Sequence, residues 1–142
     1  SGNLVADNEQ LIGVQSISAT DGAFAAIKAD GSVVTWGGST AGGNSTSVAD
    51  QLTGVRYISA TDGAFAAIKD DGSVVTWGDA SSGGDSASVA DQLIEVQSIS
   101  ATESAFAAIK ADGSVVTWGN PNDGGYAQDT SELETGGIVT LK

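Results

Sequence analysis

Apolar and polar positions alternate in short runs along this chain, and the runs recur. The segment Val14-Gln-Ser-Ile-Ser-Ala19 is followed by Ala23-Phe-Ala-Ala-Ile-Lys28 and then by Ser32-Val-Val-Thr-Trp36. Asp21-Gly22 and Asp30-Gly31 stand between them. Runs of this length, rich in β-branched and aromatic residues and separated by Asp-Gly, predict strands joined by tight turns in which glycine supplies a positive φ. Each unit therefore reads as a three-stranded antiparallel meander.

The pattern returns from Val55 and again from Val96, and Trp36, Trp77 and Trp118 stand 41 residues apart. Units 14–54, 55–95 and 96–136 follow, with partial flanking units at 1–13 and 137–142, all within one repeat domain, 1–142. In the second run Ala23, Ala25 and Ile27 share one face and Phe24, Ala26 and Lys28 the other, following the two-residue period of a strand. Both faces are small and apolar at most positions. A lone meander cannot bury two faces, whereas stacked copies can, which gives the repetition a physical reason. After each third run comes a Gly/Ser-rich stretch (Gly37 to Ser47) and then Val48-Ala-Asp-Gln-Leu52, a single helical turn or an extended return.

The fold class expected is all-β: three 41-residue repeats of three-stranded meanders forming propeller-like blades. Three repeats of this length also suit a β-trefoil, the alternative architecture.

The termini are out of phase with the repeat. Gln10-Leu11-Ile12-Gly13-Val14 matches Gln51-Leu52-Thr53-Gly54-Val55, and Ile138-Val139-Thr140-Leu141 matches a unit's opening. The expectation is an open stack whose terminal units and strand edges invite association. Ile138, Val139, Thr140 and Leu141 form the candidate added strand, with Leu4, Val5 and Leu11 near the receiving end.

Composition narrows the chemistry. There is no Cys, His or Met, so a Ser-His-Asp triad, a Cys-His pair and a histidine- or cysteine-bound zinc have no residues to build them. The missing methionine fits a processed or trimmed chain. Asp21 and Asp30 could be set apart as a carboxylate pair, but aspartate in an Asp-Gly turn is selected for its local backbone hydrogen bond. No enzyme is expected, and no cofactor. Calcium is the one ion that suits the acidic loops, through Asp79, Asp85 and Asp123, although the first unit places Gly38 and Asn44 at the positions of the first two. The tryptophans and Phe24, Phe65 and Phe106 are expected in the core rather than as sugar platforms. The third unit replaces Asp-Gly by Glu103-Ser104, which predicts a different local turn. Its last loop carries the only proline, and Pro121, Asp123 and Tyr126 are the candidate loop contacts.

With 18 acidic against 5 basic side chains, the net charge of −13 repels phosphates and anionic headgroups, so nucleic acid and membrane insertion are not expected. No apolar run approaches the roughly 20 residues that span a bilayer. Abundant Asp, Ser, Thr and Gly with few lysines and no oxidisable sulfur suit an extracellular or cell-surface setting.

The sequence Val-x-x-Ile, Ala-Phe-Ala-Ala-Ile-Lys-x-Asp-Gly-Ser-Val, Trp-Gly resembles the repeats of the regulator-of-chromosome-condensation family. It is most similar to the short-repeat bacterial members, typified by a secreted propeller that inhibits β-lactamases. The resemblance covers all three units and implies one propeller blade per repeat. Ala23, Ala64 and Ala105 stand where the animal members often have His, and Gly42-Gly43-Asn44 and Gly83-Gly84-Asp85 replace a Gly-Gln-Leu-Gly loop. Nucleotide exchange on a GTPase is therefore not implied. The function expected is a structural or adhesive module that self-associates as a homo-oligomer or filament. The alternative is a protein- or glycan-binding propeller or trefoil of inhibitor or lectin type.

Overall fold

The structure is a computed structural model that describes residues 3–4 and 11–124. Strand β1 (Asn3–Leu4) is followed by β2 (Val14–Ala19), β3 (Ala23–Lys28) and β4 (Val33–Gly38) in the first unit. The second unit contributes β5 (Val55–Ala60), β6 (Ala64–Lys69) and β7 (Val74–Gly78). The third contributes β8 (Val96–Ala101), β9 (Ala105–Lys110) and β10 (Val115–Gly119). Each unit forms its own antiparallel meander, ordered β2-β3-β4, β5-β6-β7 and β8-β9-β10. Three separate sheets side by side are not the architecture of a trefoil, and that alternative is set aside.

The register repeats from sheet to sheet. Phe24 pairs with Trp36, Phe65 with Trp77 and Phe106 with Trp118 across the second and third strands. Their ring centroids lie 5.5, 5.3 and 5.4 Å apart, close enough for cross-strand aromatic contact. The first strand of every sheet carries an irregularity after its opening valine, between Val14 and Ser16 in the first sheet and at the matching place in the others.

The Gly/Ser-rich stretches contain short 3-10 helices: Ser39–Ala41 and Thr46–Gln51, then Ala80–Ser82 and Ala87–Gln92, and finally Pro121–Asp123. The Val-Ala-Asp-Gln segment is thus a helical turn, and it leads into Leu52 or Leu93, each buried between two sheets.

The turn after the first strand differs from the sequence expectation. Gly22 and Gly63 are not among the positive-φ glycines. The turn is made by threonine: Thr20 Oγ1 accepts from Ala23 N at 3.0 Å and donates to Ala41 O at 2.7 Å. Thr61 and Thr102 repeat both bonds. Ser104 consequently replaces glycine with no change of turn, contrary to the different local turn expected there. Asp30-Gly31 does behave as expected, with Gly31 at φ +83° and Asp30 Oδ1 accepting from Ser32 N and Oγ.

Two cores hold the units together. The Ala23, Ala25 and Ile27 face of β3 packs against Ile58, Phe65, Val75 and Trp77 of the second sheet. The Ala64, Ala66 and Ile68 face of β6 packs in the same way against Ile99, Phe106, Val116 and Trp118. A flat face of small residues thus receives an aromatic face at each junction, and the removal of those rings from water is the main favourable contribution.

Candidate functional site

The junctions have a fixed set of contacts, and the two ends of the stack present the unmatched halves. At the first sheet the aromatic face has no sheet ahead of it among the described residues. Phe24 is 46% exposed where Phe65 and Phe106 are 0% and 1%. Ile17 and Leu11 are likewise exposed, whereas their counterparts Ile58, Ile99, Leu52 and Leu93 are buried. The expectation that all three phenylalanines lie in the core fails for Phe24, because a face is buried only when a neighbouring sheet covers it.

At the third sheet the small-residue face has no sheet beyond it among the described residues. Ile109 is 46% exposed where Ile27 and Ile68 are 8% and 0%, and Ala107 is half-buried where Ala25 and Ala66 are fully buried. A cavity of about 140 Å³ lies on this face, lined by Ser100, Ala105, Ala107, Asp123 and Gly124 among others.

Trp77 and Trp118 are buried and each donates from Nε1, at 3.0 Å, to the carbonyl of Gly42 or Gly83 in the preceding unit. These are packing roles and not sugar platforms. Trp36, in the first sheet, is half-buried.

The other predicted site residues are dispersed. Leu4 belongs to β1, which pairs with the outer strand of the first sheet (Asn3 with Gly38, Leu4 with Gly37). Leu4 thus lies in the edge strand of the first sheet. Leu11 lies in the turn ahead of β2, on the open aromatic end. Val5, Tyr126 and Ile138, Val139, Thr140 and Leu141 fall outside the described residues. Pro121 and Asp123 form the last 3-10 helix, where Asn120 Oδ1 accepts from Asn122 N. Two of the three carboxylates suggested for calcium are engaged locally. Asp79 Oδ1 accepts from Ser81 N and Oγ, and Asp85 Oδ1 accepts from Ala87 N. Among the described residues no group of three or more His, Cys, Asp or Glu gathers to hold a metal ion. No helix among them is long and apolar enough to cross a membrane.

Asp30, Asp71 and Asp112 have their carboxyls held below the usual aspartate range. The cause is hydrogen bonding from the hydroxyl and then the backbone N–H of Ser32, Ser73 and Ser114, respectively. These are turn aspartates on the surface, and Asp30 is accounted for by that role.

Three-stranded antiparallel meanders, set face to face and repeated along the chain, define blades of a β-propeller. No family model matches the chain, and no curated protein does. Solved structures do. Yeast RCC1 (Prp20), in a crystal with Kap60, aligns with a TM-score of 0.56 at 19% identity, over 75% of this chain and 29% of that one. Prp20p from Saccharomyces cerevisiae, in a second crystal structure, gives 0.54 at 18% identity, over 75% and 30%. Human WBSCR16 gives 0.53 at 17% identity, over 75% and 33%. The chain has an RCC1-like repeat fold, and it spans about a third of the length of the proteins it matches.

Proposed function

We propose that this chain is a non-enzymatic, extracellular structural module that assembles with blades of its own kind through its two open faces. One observation carries the reading. Phe24 is exposed in the first blade, while the same residue in the same local sequence is sealed in the second and third blades by the blade before it. An aromatic face and a small-residue face left open at opposite ends of one stack are complementary to each other. Propellers close with roughly four to eight blades, so two copies of three blades supply a ring of six.

The absence of His and Cys, together with the local engagement of Asp30, Asp71, Asp79, Asp85 and Asp112, supports a binding role over a catalytic one. Prp20, a fold neighbour, was crystallised bound to Kap60, which favours protein surfaces as the class of partner. The acidic, cysteine-free composition supports the extracellular setting. Light scattering over a range of concentrations tests the reading. It predicts a mass at least twice 14.0 kDa, and a monomer at every concentration contradicts it.

A further inference from the structure

Resting on that reading, we infer that the assembly contact is head to tail, with Phe24 and Trp36 of one copy seated on Gly124 and Ala107 of a second. The blade junctions inside the chain specify this contact atom by atom, because each is an instance of one rule.

In the first junction the Phe65 ring lies on Gly42, so closely that a Cβ there would stand 2.5 Å from ring Cδ2. In the second, Phe106 lies on Gly83 in the same way, at 2.6 Å. Trp77 donates to Gly42 O and Trp118 to Gly83 O. Ser18 Oγ donates to Ile58 O at 2.9 Å and Ser59 Oγ to Ile99 O at 2.8 Å. Asp21 N donates to Asp62 O and Asp62 N to Glu103 O, at 2.9 and 2.8 Å. Val55 N donates to Gly31 O and Val96 N to Gly72 O, at 3.0 and 2.9 Å.

Advancing each series by one unit leaves the acceptor or donor at one end of the chain and its mate at the other. Gly124, the counterpart of Gly42 and Gly83, has the same left-handed backbone at φ +103° and edges the open cavity. Its ring partner is Phe24, and its carbonyl is the acceptor for Trp36 Nε1. Ser100 Oγ is left to donate to Ile17 O, Glu103 N to Asp21 O, and Val14 N to Gly113 O. None of these hydrogen bonds is made among the described residues. The pocket, about 140 Å³ and open to solvent, is comparable in size with the ~150 Å³ void that takes up a benzene ring.

The contact joins two different surfaces and is therefore heterologous, and with two copies it occurs twice and closes. A second copy is the occupant favoured over an unrelated partner. It brings all of these donors and acceptors at the required spacing, and it continues an interface already built twice within the chain.

Two surface variants test this in the full chain, Phe24→Glu on the aromatic face and Ala107→Glu on the small-residue face. Circular dichroism on each confirms that it folds. Each variant alone is expected to sediment as a monomer. An equimolar mixture is expected to regain a dimer containing one of each, because one of its two junctions is unaltered. If Ala107→Glu stays dimeric while Phe24→Glu does not, like faces meet like and the head-to-tail contact is overturned, although self-association stands. The contact is also overturned if the mixture stays monomeric while the parent chain is a dimer. A parent chain that is monomeric throughout overturns this contact and the assembly reading together.

Discussion

The Phe106 ring closes over Gly83: a Cβ on that glycine would stand 2.6 Å from Cδ2 of the ring. Gly83 also has φ +99°, so a side chain there is opposed both by the ring and by its own backbone. Gly113 has a similar φ, +87°, but open space around it. Gly83→Ala is expected to cost about 2–4 kcal/mol and Gly113→Ala only about 1–2 kcal/mol. Urea unfolding midpoints at unchanged slope, in solutions too dilute for assembly, measure the difference. Equal losses would show that ring contact does not set the blade spacing.

Glu95 occupies a place that is glycine in the preceding units. It has φ +54°, where Gly13 and Gly54 have +77° and +63°. Glu95→Gly relieves that conformation and is expected to stabilise the chain by about 0.5–1 kcal/mol, after the entropy cost of glycine. A thermal melt showing destabilisation would mean that the Glu95 side chain makes a compensating contact.

Phenylalanine at equivalent positions has unequal value. Phe106→Ala removes a fully buried ring and is expected to cost about 3–5 kcal/mol. Phe24→Ala, measured at concentrations too low for assembly, is expected to cost less than about 1 kcal/mol. Similar losses at both positions in dilute solution would mean that Phe24 is buried within the single chain.

The turn aspartates set the response to acid. Serine hydrogen bonds hold the carboxyls of Asp30, Asp71 and Asp112 below the usual range in the folded chain. A depressed folded pKa stabilises the fold above the unfolded value, about 3.9, and that contribution is lost as pH falls through the folded values. Stability is thus expected to decline as pH is lowered below about 4. The triple variant Asp30→Asn, Asp71→Asn, Asp112→Asn should show a shallower decline, measured by denaturation across this range. An unchanged slope would place the acid sensitivity elsewhere.

Each copy brings a charge of −13 to the contact, so approach is opposed electrostatically. Charges in solvent are screened beyond a Debye length of about 10 Å at 0.1 M salt. Association is therefore expected to strengthen between about 0.05 and 0.5 M sodium chloride. Weaker association at high salt would indicate that ion pairs, not apolar faces, hold the copies.

Much of the fold is legible in the sequence because the repeat places the same chemistry at Trp36, Trp77 and Trp118. The strand runs 14–19 and 23–28 lie where their alternation predicts. The turn at Asp21-Gly22 misleads because Asp-Gly is such a strong local signal. Its true agent, Thr20, recurs as Thr61 and as Thr102, and it persists where the glycine does not. The open faces cannot be read from periodicity at all. Phe24, Phe65 and Phe106 sit in near-identical local sequence, and only the position of a unit in the stack decides whether a neighbouring blade covers its ring.

The most direct test is isotope-filtered NMR on an equimolar mixture of labelled and unlabelled chain. The assembly described here predicts nuclear Overhauser contacts from the Phe24 ring of one copy to the α protons of Gly124 in the other. Their absence in a sample of confirmed dimers, or a sample of monomers alone, would contradict it.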